Sequence, residues 1–136
     1  IIENLDYADI VRGSQEDFFY MYNLREADRI YKDKIKFYCS NFLCTAGAEQ
    51  ISLRTGSISK EYAIPPLEAV STIGAGDNFN AGIIYGLLKY DVRHEGLNTM
   101  SEATWDKVIG CGIEFSAEVC KSFCNSVSKE FAEAHK

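Results

Sequence analysis

The chain has 136 residues, 46% of them apolar and 25% charged, which fits one globular domain with a buried core and excludes a disordered or fibrous chain. Its net charge of −6 argues against nucleic acid or an anionic membrane as partner, so a phosphate ligand would need a locally positive field. Cys39, Cys44, Cys111, Cys120 and Cys124 form no CxxC pair and lack a histidine at zinc spacing, so they read as buried reduced thiols.

In chain order, Ala8–Val11 reads as a short buried strand entering a turn at Gly13. Ser14 then opens a helix, and Asp17 three residues on gives an acidic capping box. Phe18, Phe19 and Tyr22 follow at helical spacing, and a second, charged amphipathic helix runs from Arg25 to about Asp33. Phe37–Thr45 is predicted as a central strand, and Gln50–Arg54 with Ser57–Ile64 as a hairpin around Thr55-Gly56. Beyond Pro65-Pro66, Phe79, Ile83, Ile84, Leu87 and Leu88 predict a long helix from Asp77 to about Tyr90, with Gly82 and Gly86 permitting close packing. A polar connection at 93–100, holding His94, leads to a helix beginning near Ser101 or Thr104 and running through Val119. A weakly helical tail from Val127 carries His135. Strands and helices alternate first and helices follow, an α/β pattern. No signal peptide and no apolar run of membrane length is visible, so no membrane association and a cytoplasmic location are expected.

Chemistry concentrates at Ser71-Thr72-Ile73-Gly74-Ala75-Gly76-Asp77, which runs straight into the long helix. Small residues at a helix N-terminus leave backbone N–H groups without intrahelical partners at the positive end of the dipole, and so offer an anion site. A carboxylate beside that site could accept a proton while the amides hold negative charge. Taken alone, Gly-x-Gly-Asp before a helix is also simply a turn with a capping aspartate.

The whole stretch from Ser71 to Ile84 resembles the C-terminal signature of the PfkB (ribokinase-like) carbohydrate kinases, Asp-Thr-x-Gly-Ala-Gly-Asp. The resemblance continues upstream. Asp9–Asp17 is similar to the segment carrying the family's Asn-x-x-Glu, with Ser14 and Asp17 at those positions. Phe42–Gln50 is similar to its strand followed by Thr-x-Gly-x-x-Gly, where Thr45 and Gly47 match and Gln50 replaces the last glycine. Ser71 stands where the family has aspartate, which argues against potassium activation.

The resemblance implies the C-terminal part of a ribokinase-like three-layer α/β/α domain over residues 1–136, with the N-terminal half and lid absent. It implies transfer of the γ-phosphoryl group of ATP to a sugar hydroxyl, as in fructokinase or ribokinase. Asp77 would be the base and Gly74, Ala75 and Gly76 the anion hole. Thr45, Gly47 and Thr72 would contact nucleotide or phosphate, and Ser14 and Asp17 would organise magnesium and phosphate through water, with no direct protein metal ligand. The first residue is isoleucine and the match begins near the middle of family members. The expectation is therefore a fragment with little activity by itself, prone to association, a homodimer included. Two other readings stand beside this one: a nucleotide- or phosphate-binding module without catalysis, and a ribokinase-fold kinase of a nucleoside or other small alcohol.

Overall fold

The computed structural model describes residues 2–136, which form a mixed α/β chain with one four-stranded sheet. Two compact units are present: residues 2–65 with 94–99, and residues 66–93 with 100–136.

The first unit opens with a helical turn, α1 (Ile2–Leu5), and strand β1 (Val11–Ser14). The sequence places this strand three residues earlier and makes Gly13 a turn; Gly13 instead lies inside it. Asn41 explains the shift. Its buried side-chain amide donates to Asp9 O at 2.9 Å and to Asn98 Oδ1 at 3.0 Å, so the Asp9 carbonyl is satisfied outside any ladder. Val11 N–H then begins the pairing on Asn41 O at 2.9 Å.

Ser14 ends β1 and caps α2 (Gln15–Tyr22). Its Oγ accepts from Asp17 N–H at 3.1 Å, and Asp17 Oδ2 accepts Ser14 N–H at 2.8 Å, the reciprocal box that the spacing predicts. Helix α3 (Ala27–Ile30) runs into a π-helical turn at Tyr31–Ile35, closed by Lys36 N–H on Tyr31 O at 2.8 Å. The N–H groups of Tyr38 and Cys39 are both spent on Ile35 O, at 2.8 and 2.9 Å. That removes residues 37–41 from the predicted central strand, and β2 is only Phe42–Ala46.

Strands β3 (Gln50–Arg54) and β4 (Ser59–Ala63) complete the order β1-β2-β3-β4. β1 and β2 are parallel with Ser14 opposite Thr45, and the other pairs are antiparallel. The core of this unit gathers Phe18, Ile30, Tyr31, Ile35, Cys39, Phe42 and Cys44. Buried Arg54 pairs with Asp28 at 2.6 Å and with Glu61, tying α3 to the sheet. Its hydrogen bond and charge hold the Asp28 carboxyl below the usual range.

In the second unit, α4 (Ala75–Lys89) packs on α5 (Glu102–Val119). Glycine makes the crossing. A Cβ added at Gly82 would lie 2.4 Å from Cys111 O, and one at Gly86 3.0 Å from Val108 Cα, as the expected close packing requires. Trp105, the sole tryptophan, is fully buried with Val108, Ile109 and Val119. Ser101 caps α5, its Oγ accepting Thr104 N–H at 3.2 Å. The tail forms α6 (Lys129–Ala134), capped by Ser128. It is held by an aromatic cluster: His135 stacks on Phe131 at 4.0 Å, and Tyr85 and Phe115 stand 5.3 and 5.4 Å from the imidazole. Four of the five thiols are buried as expected; Cys124 is exposed, because it falls in the bends beyond the end of α5.

Candidate active site

The N-terminus of α4 is set by the loop before it. Val70 N–H donates to Cys120 O at 2.8 Å, and Ser71 Oγ accepts Ile73 N–H at 3.2 Å. Gly74 adopts φ 81, a left-handed conformation open to glycine at no steric penalty, and a Cβ there would meet Asn125 O at 3.4 Å. Thr72 contributes its backbone oxygen, which accepts Ala75 N–H at 3.2 Å. The Ala75 amide is therefore committed within the loop. Among the described residues, the Gly76 and Asp77 N–H groups have no acceptor, while Asn78 N–H closes the first turn on Gly74 O at 2.9 Å. Inside the fifteen-residue helix two free amides remain at its positive end, with Asp77 exposed in the first turn, and among the described residues the N-cap Gly74 N–H has no acceptor either.

The other candidates meet at the end of the parallel pair. Ser14 and Thr45 are register partners at the C-terminal ends of β1 and β2, where open α/β sheets bind ligands. Ser14 N–H, its hydroxyl and, more weakly, the Arg12 charge hold the Asp17 carboxyl below its usual range. Arg12 Nη2 donates to Thr45 Oγ1 at 3.1 Å. Sequence reasoning missed Arg12, although its place two residues before Ser14 puts both on one face of the strand. Gly47 turns the chain from β2 into β3 at φ 55, and a Cβ there would touch nothing within 4 Å, so the backbone is open to close approach. The structure thus groups Ser14, Asp17, Thr45 and Gly47 in the first unit, and Thr72 and Gly74–Asp77 in the second. Burial pushes the Cys44 thiol up to about 11, which removes it as a nucleophile.

The family model described as pfkB family carbohydrate kinase matches residues 1–123. The chain belongs to that family. Its solved neighbours are ribokinase- and fructokinase-like kinases. Fructokinase with bound ATP from Xylella fastidiosa superposes with a TM-score of 0.82 at 16% identity, over 98% of this chain and 44% of that one. Fructokinase from Vibrio cholerae O395, in its fructose, ADP and calcium ion bound form, gives 0.78 at 18% identity, over 98% and 42%. Aminoimidazole riboside kinase from Salmonella enterica, complexed with aminoimidazole riboside and an ATP analogue, gives 0.73 at 20% identity, over 89% and 38%. No curated protein matches the sequence significantly. This pfkB-family chain spans roughly two fifths of the length of those neighbours, and the likeness is one of fold. Among the described residues, no helix is long and apolar enough to cross a membrane.

Proposed function

We propose that this chain is the nucleotide-handling and base-bearing portion of a carbohydrate kinase that moves the γ-phosphoryl group of ATP to a sugar hydroxyl. The reading is carried by the two unsatisfied amides of Gly76 and Asp77, with a carboxylate on the same helical turn. Such donors fit a phosphate, since they meet developing negative charge without reorganising. Asp77 would accept the hydroxyl proton as the sugar oxygen attacks phosphorus, while Gly74 and Ala75 shape the turn that presents the amides. Thr45, Gly47 and Thr72 would contact the nucleotide phosphates, and Arg12 would hold the Thr45 hydroxyl in place. Magnesium would arrive with ATP and supply charge neutralisation, its sphere filled mostly by phosphate and water; Ser14 and Asp17 would order that water. A homodimer is the proposed assembly, and cytoplasm the proposed location.

Binding and turnover test this separately. The 136-residue chain should bind MgATP and its Asp77→Asn variant should bind it as well, while neither turns over sugar appreciably. In a chain extended to the full family length, Asp77→Asn should cut sugar-dependent ATP turnover by about 10³-fold or more. Robust sugar kinase activity in the 136-residue chain would remove the inactive-fragment part. Unchanged turnover in the extended variant would remove Asp77 as base. A second reading, a nucleoside or other small alcohol as acceptor, is favoured by the likeness to aminoimidazole riboside kinase. Comparing fructose, ribose and adenosine as acceptors separates the two. Intact nucleotide binding with no acceptor used at all would leave a binding module.

A further inference from the structure

We propose that Asn78 is the positioning residue for this phosphate cradle, its carboxamide stapling the loop ahead of α4 to the loop that follows α5. The proposal rests on the reading of the Gly76 and Asp77 amides as phosphate donors. Asn78 Nδ2 donates to Gly74 O at 3.0 Å and reaches Asn125 O at 3.4 Å. Gly74 O also accepts the Asn78 backbone N–H at 2.9 Å, so one residue bonds that carbonyl twice. The peptide held this way is the left-handed one from which the free amides follow.

The loop on the other side is ordered independently. Asn125 has φ 54, Cys124 N–H donates to Ser122 Oγ at 3.1 Å, and the Ser128 hydroxyl donates to Glu118 Oε1 at 2.7 Å. Cys120 O accepts from both Val70 and Ser71, at 2.8 and 3.4 Å. The staple therefore joins two backbones that meet twice, and it acts at the end nearer the cradle. Asparagine is a weaker helix former than alanine, so its presence in the first turn gains nothing from propensity. What it supplies is a pair of donors on a short stem. A misplacement of about 1 Å can cost a reaction about 100-fold, and the two Asn78 bonds oppose a shift of the Gly74 peptide that would move the amides following it.

The test uses the 136-residue chain, with tripolyphosphate and MgATP as probes, followed by the backbone amide resonances of Gly76 and Asp77. Both probes should shift those resonances in the wild type. Asn78→Ala should weaken tripolyphosphate binding about tenfold while leaving the thermal midpoint within a few degrees, since alanine restores helix propensity. Asn78→Asp, equal in shape but unable to donate, should lose affinity too. Unchanged affinity in both variants overturns the staple and leaves the cradle standing. Lost stability with unchanged affinity makes Asn78 merely structural, and also overturns it. A wild type whose Gly76 and Asp77 resonances answer neither probe brings down the cradle itself and the staple with it.

Discussion

Replacing Gly82 by alanine is the sharpest test of the helix pair that carries Asp77. The added Cβ would lie 2.4 Å from Cys111 O, 2.7 Å from Gly112 Cα and 2.8 Å from Cys111 C, all of them backbone atoms that no rotamer change can move. Reaching the 3.4 Å of ordinary contact requires α4 and α5 to separate by about 1 Å. Overpacking of this kind costs about 1–3 kcal/mol, and the helix-propensity gain of alanine over glycine returns about 1 kcal/mol. Separation also strips contact from Phe79 and Ile83, both buried beside the seam, so the balance is a net loss of about 1–2 kcal/mol. For a chain of this length, that lowers the thermal midpoint by about 5 °C. Gly110 is the internal control. It lies in the same α5, is exposed, and an added Cβ there would have nothing within 4 Å, so Gly110→Ala should stabilise by up to about 1 kcal/mol. The assay is thermal and urea unfolding followed by circular dichroism. Equal signs for the two variants, or a Gly82→Ala chain at least as stable as the wild type, would refute the steric argument.

Ser14→Ala should destabilise by about 1 kcal/mol through loss of the α2 capping box, seen as a lower urea midpoint at unchanged slope. Because the folded Asp17 carboxyl sits below its ordinary value, its contribution is present above about pH 4 and disappears as pH falls through the folded value. The wild-type advantage over Ser14→Ala should shrink in that acid window and hold steady at neutral pH. Thiol titration of the native chain should find one fast site, Cys124, with Cys39 and Cys44 reacting only on unfolding; two or more fast thiols would contradict the burial. Phe131→Ala should release α6 and raise amide exchange over residues 128–135 by an order of magnitude or more, leaving the sheet unaffected.

Legibility in the sequence follows the range of the interactions. The α2 cap, the two long helices and the Gly82–Gly86 packing role are written within a few residues of where they act, and each appears in the structure. The starts of β1 and β2 both depart from the apolar pattern for a shared reason. Asn41 and Ile35 O divert backbone groups that an apolar run alone would assign to a ladder, and neither diversion has a periodic signature. The tail reads as weakly helical because His135 and Phe131 gain their order from Tyr85 and Phe115, well removed along the chain. At the site, the glycine-rich turn is readable down to the residue. The commitment of the Ala75 amide to Thr72 O and the reach of Arg12 to Thr45 are not, since both depend on the path of the backbone.

Trp105 has a practical consequence. A lone indole wholly shielded from water emits at short wavelength and shifts to the red once solvent reaches it, so this chain carries an unlabelled optical reporter within α5. Its signal can be compared with backbone dichroism during denaturation. Coincident curves would mean that the second unit melts together with the rest, and a gap between them would reveal that one part lets go before the other.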